Sequence, residues 1–141
     1  MFKKKIKKEE ENNINNKKTL VAALLIHAAK IDDNYTEVEK EIIKKALISL
    51  NTITLQEADE LLKKAEKMEH ESNQIVAFTK EIKKNTMKFR IKIIEILWEI
   101  VYSDGSSDNY ESNLIRRVCG LLYVSDRDSG MIKLKIQNSL K

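Results

Sequence analysis

Two short acidic segments contain the residues of this chain whose types and spacing could bind a cation or cap a helix. They are residues 32–39 (DDNYTEVE) and residues 104–111 (DGSSDNYE). In the first, Thr36 and Glu39 fit a capping box, and in the second Asp108 and Glu111 fit a close relative of one. A cap of this kind contributes about 1 kcal/mol, so helix starts already explain these four residues.

The remaining acidic residues are less easily explained by helix structure. Asp32, Asp33 and Asp104 are predicted to end helices, where the helix dipole disfavours an anion by about 0.3–1 kcal/mol. A bound cation would relieve that repulsion, and Ca²⁺ takes about six to eight oxygen ligands. The second segment offers Asp104, Asp108, Glu111 and carbonyls, so both segments together, or added water, would be needed. The spacing is not that of an EF-hand. Three interpretations stay open: turn and cap only, a weak divalent-cation site, and partner docking.

Other reactive residues argue against catalysis. His27 lies in an apolar stretch and is predicted to be a hydrogen-bonded core residue, whereas His70 is predicted to be exposed. Cys119 is the single cysteine, which excludes an internal disulfide and a multi-cysteine metal site and favours a reducing, cytoplasmic compartment. The sequence has no phosphate-binding glycine loop. We therefore predict that the protein is not an enzyme.

The elements that position the acidic segments are all predicted to be helices. Apolar residues recur with the helical period, and the 141 residues include no proline. The pattern predicts an all-α fold, a single-domain bundle of about seven helices at 19–31, 37–50, 55–70, 73–84, 87–103, 109–123 and 126–140. Thr54 and Glu57 predict a second capping box, and the helix over 87–103 is apolar on most sides and predicted to be central. The apolar stripes of the other helices include Val38, Leu55, Val76, Met131 and Leu134.

The first two helices match the fifth and sixth at a separation of 72 residues. Leu25 aligns with Leu97, and Asp32 aligns with Asp104. At the same separation, Glu39 in the first turn of the second helix aligns with Glu111 in the first turn of the sixth. The match predicts an internal duplication of two helical hairpins, whose packing would bring both acidic turns into one region.

The net charge of +4 belongs to one end of the chain. Residues 1–18 hold seven lysines and three glutamates, and residues 19–141 hold equal numbers of basic and acidic residues. We predict a disordered Lys/Glu/Asn-rich tail over 1–18 and a helical domain over 19–141. A neutral domain argues against nucleic acid as a partner, and no apolar run approaches the length of a membrane span. Weak contact of the tail with an anionic membrane is a third alternative for function.

The helix, Asp-Gly turn, cap and second helix of the segment LWEIVYSDGSSDNYESNLIRRVCGLLYVSDRD resemble the TerB-like family, named for a bacterial tellurite-resistance protein. The first half (VAALLIHAAKIDDNYTEVEKEIIKKAL) is similar but has Asp33 where that family usually has Gly. The resemblance implies a bundle of two related halves, a bacterial stress-response setting and no established reaction. It also implies metal binding by acidic residues, at Asp32, Glu39, Asp104, Asp108 and Glu111. A related domain in membrane-anchored DnaJ-like co-chaperones implies partner binding as a second use.

Our leading hypothesis is a cytoplasmic, non-enzymatic TerB-like module that binds a divalent cation weakly, with Ca²⁺ favoured. The candidate ligands are Asp32, Asp33, Glu39, Asp104, Asp108 and Glu111. The alternative is a metal-independent interaction domain for another protein. The sequence predicts no oligomeric state.

Overall fold

The computed structural model describes residues 17–31, 35–72, 74–104 and 109–139. All regular structure in these residues is helical, so the all-α prediction is confirmed. Residues 17–29 form α1. The later helices are α2 (Glu37–Asn51), α3 (Leu55–Glu71), α4 (Ile75–Ile82), α5 (Met87–Val101), α6 (Asn109–Leu121) and α7 (Asp126–Ser139), with a 3₁₀ turn over Tyr102–Asp104.

Both predicted capping boxes are present where the helices begin. The Thr36 hydroxyl accepts a hydrogen bond from the Glu39 backbone N–H at 3.1 Å, and the Glu39 carboxylate accepts one from the Thr36 N–H at 2.8 Å. Thr54 and Glu57 form the same pair of bonds at 3.1 and 3.3 Å. Each box satisfies two backbone donors that the first helical turn leaves unpaired, which fixes the starts of α2 and α3.

The prediction that α5 is central is confirmed. α5 packs against α2, α6 and α7. Its buried residues are Ile93, Ile94, Ile96, Leu97, Trp98, Ile100 and Val101. The sequence had not singled out α1, which is just as enclosed, with Val21, Ala22, Ala23, Leu24, Leu25, Ile26, Ala28 and Ala29 all buried. The four alanines of that set allow neighbouring helices to approach α1 closely.

Five apolar residues of the predicted stripes do not reach the core. Each has more than half of its surface exposed: Val38, Leu55, Val76, Met131 and Leu134. The prediction that Val76 faces inward is therefore wrong, and the other four are stripe residues that the core does not cover. The helical period identifies an apolar stripe, but neighbouring helices cover only part of its width. Val38 and Leu55 also lie in first turns, at the edge of the bundle.

The helices that flank the first acidic segment end and begin 72 residues before those that flank the second. α1 ends at residue 29 and α5 at Val101, and α2 begins at Glu37 and α6 at Asn109, so both pairs are 72 residues apart. Aligned side chains are also buried alike, as in Leu47 and Cys119. The duplication itself stays a prediction. Residues 17 and 18, which the sequence assigned to the tail, are helical, and residues 1–16 lie outside the described part of the chain.

Candidate functional site

Of the six candidate metal ligands, Glu39 is the one whose side chain falls within the described residues. Asp32, Asp33 and Asp108 lie outside them. The backbone of Asp104 ends the 3₁₀ turn and that of Glu111 lies in α6, but their side chains are also outside the description. The metal-binding prediction for these residues therefore stays a prediction.

Glu39 is buried at the start of α2 and acts in the cap. Its Oε1 atom accepts hydrogen bonds from the Thr36 N–H at 2.8 Å and from the Thr36 hydroxyl at 2.9 Å. The first bond holds the backbone at the start of α2 and the second holds the capping side chain, so Glu39 has the structural role that the capping pattern predicts.

Tyr35 ties the first acidic turn to α3. Its hydroxyl donates a hydrogen bond to the Glu66 carboxylate at 3.2 Å, and the Lys40 ammonium lies 4.9 Å from the centre of its ring. Burial, followed by the negative charge of Glu66, raises the pKa of Tyr35 far above its usual value. The phenol therefore stays protonated and keeps its donor role.

A cluster of three charged or polar side chains joins the end of α1 to α3. Glu69 accepts from the Lys30 ammonium at 2.8 Å, and its other carboxylate oxygen lies 3.2 Å from His27 Nδ1. Burial alone would raise the pKa of Glu69, but the hydrogen bonds from Lys30 and His27 lower it below its usual value. This cluster confirms that His27 is hydrogen-bonded, but its side chain is half-buried rather than part of the core. The cluster holds the helix end that leads into the first acidic turn.

The end of α5 and the 3₁₀ turn that lead into the second acidic segment are tied to α7 in a similar way. Tyr102 stacks on Trp98 with ring centres 5.8 Å apart, and its hydroxyl accepts a hydrogen bond from the Gln137 side-chain amide at 2.7 Å. The Trp98 indole N–H donates to the Ser129 hydroxyl at 3.2 Å. Sequence reasoning missed Tyr35, Tyr102 and Glu69 as anchors because their partners lie more than 30 residues away along the chain.

The remaining reactive residues do not cluster as a metal centre in the part of the chain that is described. No group of three or more His, Cys, Asp or Glu side chains there could hold a metal ion. Burial raises the pKa of the Cys119 thiol, and a hydrogen bond with Ser129 opposes this in part. Cys119 therefore fits its predicted place as a small core residue, and His70 is exposed as predicted.

An open groove of about 640 Å³ lies between the end of α2 and the first half of α5. Its walls combine half-buried apolar side chains with charged ones, and we name it the α2–α5 groove: Leu50, Thr86, Lys88, Phe89, Ile91, Lys92 and Glu95. A concave surface with apolar walls is the form that ligand and peptide sites usually take.

Comparison with known families agrees with this helical architecture. The sequence profile of the family described as tellurite resistance protein TerB matches residues 18–134, which is most of the chain. The chain belongs to the TerB family. The resemblance seen in the two acidic turns is thereby confirmed. The searches of curated proteins and of solved structures give no match.

Membership of the TerB family supports a tellurite-resistance-like helical domain. The family is not known for enzymatic activity. No helix in the described residues is both long enough and apolar enough to cross a membrane.

Proposed function

We propose that the protein is a cytoplasmic, non-enzymatic TerB-family module that acts in bacterial stress response and binds divalent cations weakly at its two acidic turns. The candidate ligands are Asp32, Asp33, Glu39, Asp104, Asp108 and Glu111, and Ca²⁺ is the favoured ion. Carboxylates and carbonyls suit this hard cation, and water would complete each shell of about six to eight oxygens.

The observation that supports the proposal is that each acidic turn lies between two helices whose ends are spaced alike in the two halves of the chain. Each turn follows a buried helix and precedes a helix whose start lies 72 residues from its counterpart. Asp32 and Asp104 thus follow the last residues of α1 and α5 by three positions in sequence, and the C-terminal end of a helix is the negative end of its dipole. A cation at either turn would offset the resulting repulsion.

Calorimetric titration with Ca²⁺ and Mg²⁺ tests this proposal. We expect heat of binding at millimolar Ca²⁺ and a weaker response to Mg²⁺, which prefers smaller octahedral sites and keeps its water. Replacing Asp104 and Asp108 with Asn removes charge at nearly constant size and should weaken binding. Asp126→Asn with Asp128→Asn is the matched control, since both are exposed acidic residues in the first turn of α7. Absence of binding at millimolar metal would rule the cation site out.

A second candidate function is metal-independent binding of another protein. The α2–α5 groove favours it, because this apolar concavity of about 640 Å³ is open at the surface. Pull-down with and without a chelator separates the two functions. The cation hypothesis expects the partner to be lost with the metal, whereas the groove hypothesis expects it to be retained.

A further inference from the structure

The α2–α5 groove has apolar walls that are set back from the surface. Leu50 of α2 faces Phe89 and Ile91 of α5 across it, and all three side chains are half-buried. Burying such residues stabilises a complex by about 25 cal/mol for each Å² of apolar surface removed from water. Because the groove is concave, its occupant must insert apolar side chains of its own.

The charge around this groove is mainly positive. Its lining holds Lys88, Lys92 and Glu95, and the Glu95 carboxylate lies 3.6 Å from the Lys92 ammonium, which leaves Lys88 without that neutralisation. Lys88 and Lys92 are exposed on the groove wall, while Lys17 of α1 places its ammonium 5.0 Å from the centre of the Phe89 ring. The first turn of α5 has no acidic residue, so the positive end of its dipole adds to the lysine charges.

We propose that the α2–α5 groove binds an acidic amphipathic segment of another protein. The inference rests on the second proposed function, protein binding, and is independent of the cation site. An amphipathic helix with apolar residues at i, i+3, i+4 and i+7 would place them on Leu50, Phe89 and Ile91. Glutamates or aspartates beside that stripe would meet Lys88 and Lys92, which speeds association and selects acidic partners.

Charge and shape argue against other occupants. Residues 1–16 of this chain hold five lysines against three glutamates, so they carry the same sign as the groove rim. An anionic membrane would attract the lysines, but membrane contact needs apolar side chains that protrude, and those of this groove are recessed. An acidic helix from a partner satisfies both the charge and the shape.

The direct test uses two synthetic peptides with the same apolar stripe. Each is a fluorescein-labelled helix of about 18 residues with Leu at i, i+3, i+4 and i+7, long enough to be partly helical in water. One carries Glu at its remaining charged positions and the other carries Lys. With the full chain in EDTA, we expect the acidic peptide to bind at least about tenfold more tightly by fluorescence anisotropy. Equal affinities, or no binding of either, would overturn the proposal.

Charge reversal on the groove supplies the matched variants. We expect Lys88→Glu with Lys92→Glu to weaken the acidic peptide about tenfold and to strengthen the basic one. The control pair is Lys63→Glu with Lys67→Glu, which are exposed lysines at the same i, i+4 spacing on α3. The control should change either affinity by less than about twofold. An equal loss in the control pair would show attraction to net charge alone and refute a specific groove.

Amide NMR shifts locate the peptide. We expect the largest changes at Leu50 and along Thr86–Glu95, and a map centred on any other surface would refute the site. Three further results would assign the groove to a different occupant and overturn the inference. Binding of the acidic peptide only after residues 1–16 are removed would indicate that these residues occupy the groove. Self-association that the Lys88→Glu, Lys92→Glu variant abolishes would indicate a second copy of the chain. Binding to anionic phosphatidylglycerol vesicles without binding of the peptide would indicate a membrane.

Discussion

Glu69 shows how a single buried carboxylate links helices that are distant in sequence. It lies on α3 and holds Lys30 and His27 of α1, which are 39 and 42 residues away along the chain. A buried charge costs several kcal/mol unless its hydrogen-bonding capacity is used, and both carboxylate oxygens of Glu69 are engaged. The cluster therefore fixes α1 against α3 just before the first acidic turn.

Glu69→Gln should destabilise the protein by about 1–2 kcal/mol at pH 7. The amide keeps the size of the side chain but loses the charge-assisted bonds to Lys30 and His27. Urea unfolding followed by circular dichroism measures the change. Glu71→Gln is the control, since Glu71 is exposed on the same helix and its replacement should cost less than about 0.5 kcal/mol.

The same pair of proteins tests the direction of the Glu69 pKa. Hydrogen bonds hold the pKa of Glu69 below its usual value in the folded state despite its burial. Its stabilisation is therefore complete above the unfolded pKa of about 4.3 and is lost as the pH falls through the lower folded value. We expect the stability gap between wild type and Glu69→Gln to narrow as the pH falls below about 4. A constant gap from neutral to acid pH would contradict this account.

At the scale of helices, local signals were enough to predict the starts of α2, α3, α5, α6 and α7. By contrast, α1 is already helical at residue 17 rather than 19, and α4 begins at Ile75 rather than residue 73. The Thr36 and Thr54 boxes lie within four residues of sequence, so their geometry follows from the pattern itself. The apolar circumference of α5 likewise predicts a helix enclosed by others. The extent of each buried face was not predictable, because it depends on which neighbours pack against it. Val76 and Leu134 show this: both belong to apolar stripes and both are exposed.

Two substitutions in α4 test the corrected placement of its faces. Ile82 is fully buried and Val76 is more than half exposed, although sequence periodicity placed both inward. We expect Ile82→Ala to cost about 2–5 kcal/mol, through lost apolar contacts and the cavity left behind. Val76→Ala should change the free energy of unfolding by no more than about 0.5 kcal/mol. Chemical denaturation at one pH measures both, and comparable losses would contradict the orientation of α4.

For the whole molecule, described residues in or beside the two acidic segments contact different helices. Tyr35 of the first segment bonds to Glu66 on α3, which packs on α2. Tyr102, two residues before the second segment, bonds to Gln137 on α7, which packs on α5 and α6. The candidate ligands themselves were predictable as residue types, but their convergence depends on this packing and cannot be derived from spacing along the chain. The cation proposal therefore covers two arrangements: two sites that are each completed by water, or one site shared by both turns.

Calcium-dependent stability distinguishes these arrangements. A site that binds only the folded state adds about 1.4 kcal/mol to stability when the ion is at ten times its dissociation constant. Two separate sites should therefore each contribute about half of the total calcium-induced stabilisation, if their affinities are alike. We expect Asp32→Asn with Asp33→Asn to lose one half, Asp104→Asn with Asp108→Asn to lose the other, and all four changes together to lose the whole. Thermal unfolding with and without Ca²⁺ measures each step.

Whether the losses of calcium-induced stabilisation add up decides between two separate sites and one shared site. Sites without common ligands should add to within about 0.5 kcal/mol, whereas a shared shell would fail entirely when either turn is changed. Asp126→Asn with Asp128→Asn makes the same change of two charges but lies outside both turns, so this pair should retain the full calcium response. If either pair of substitutions alone abolished the response, the two turns would have to meet around one ion, and the anchors on α3 and α7 would then serve to bring them together.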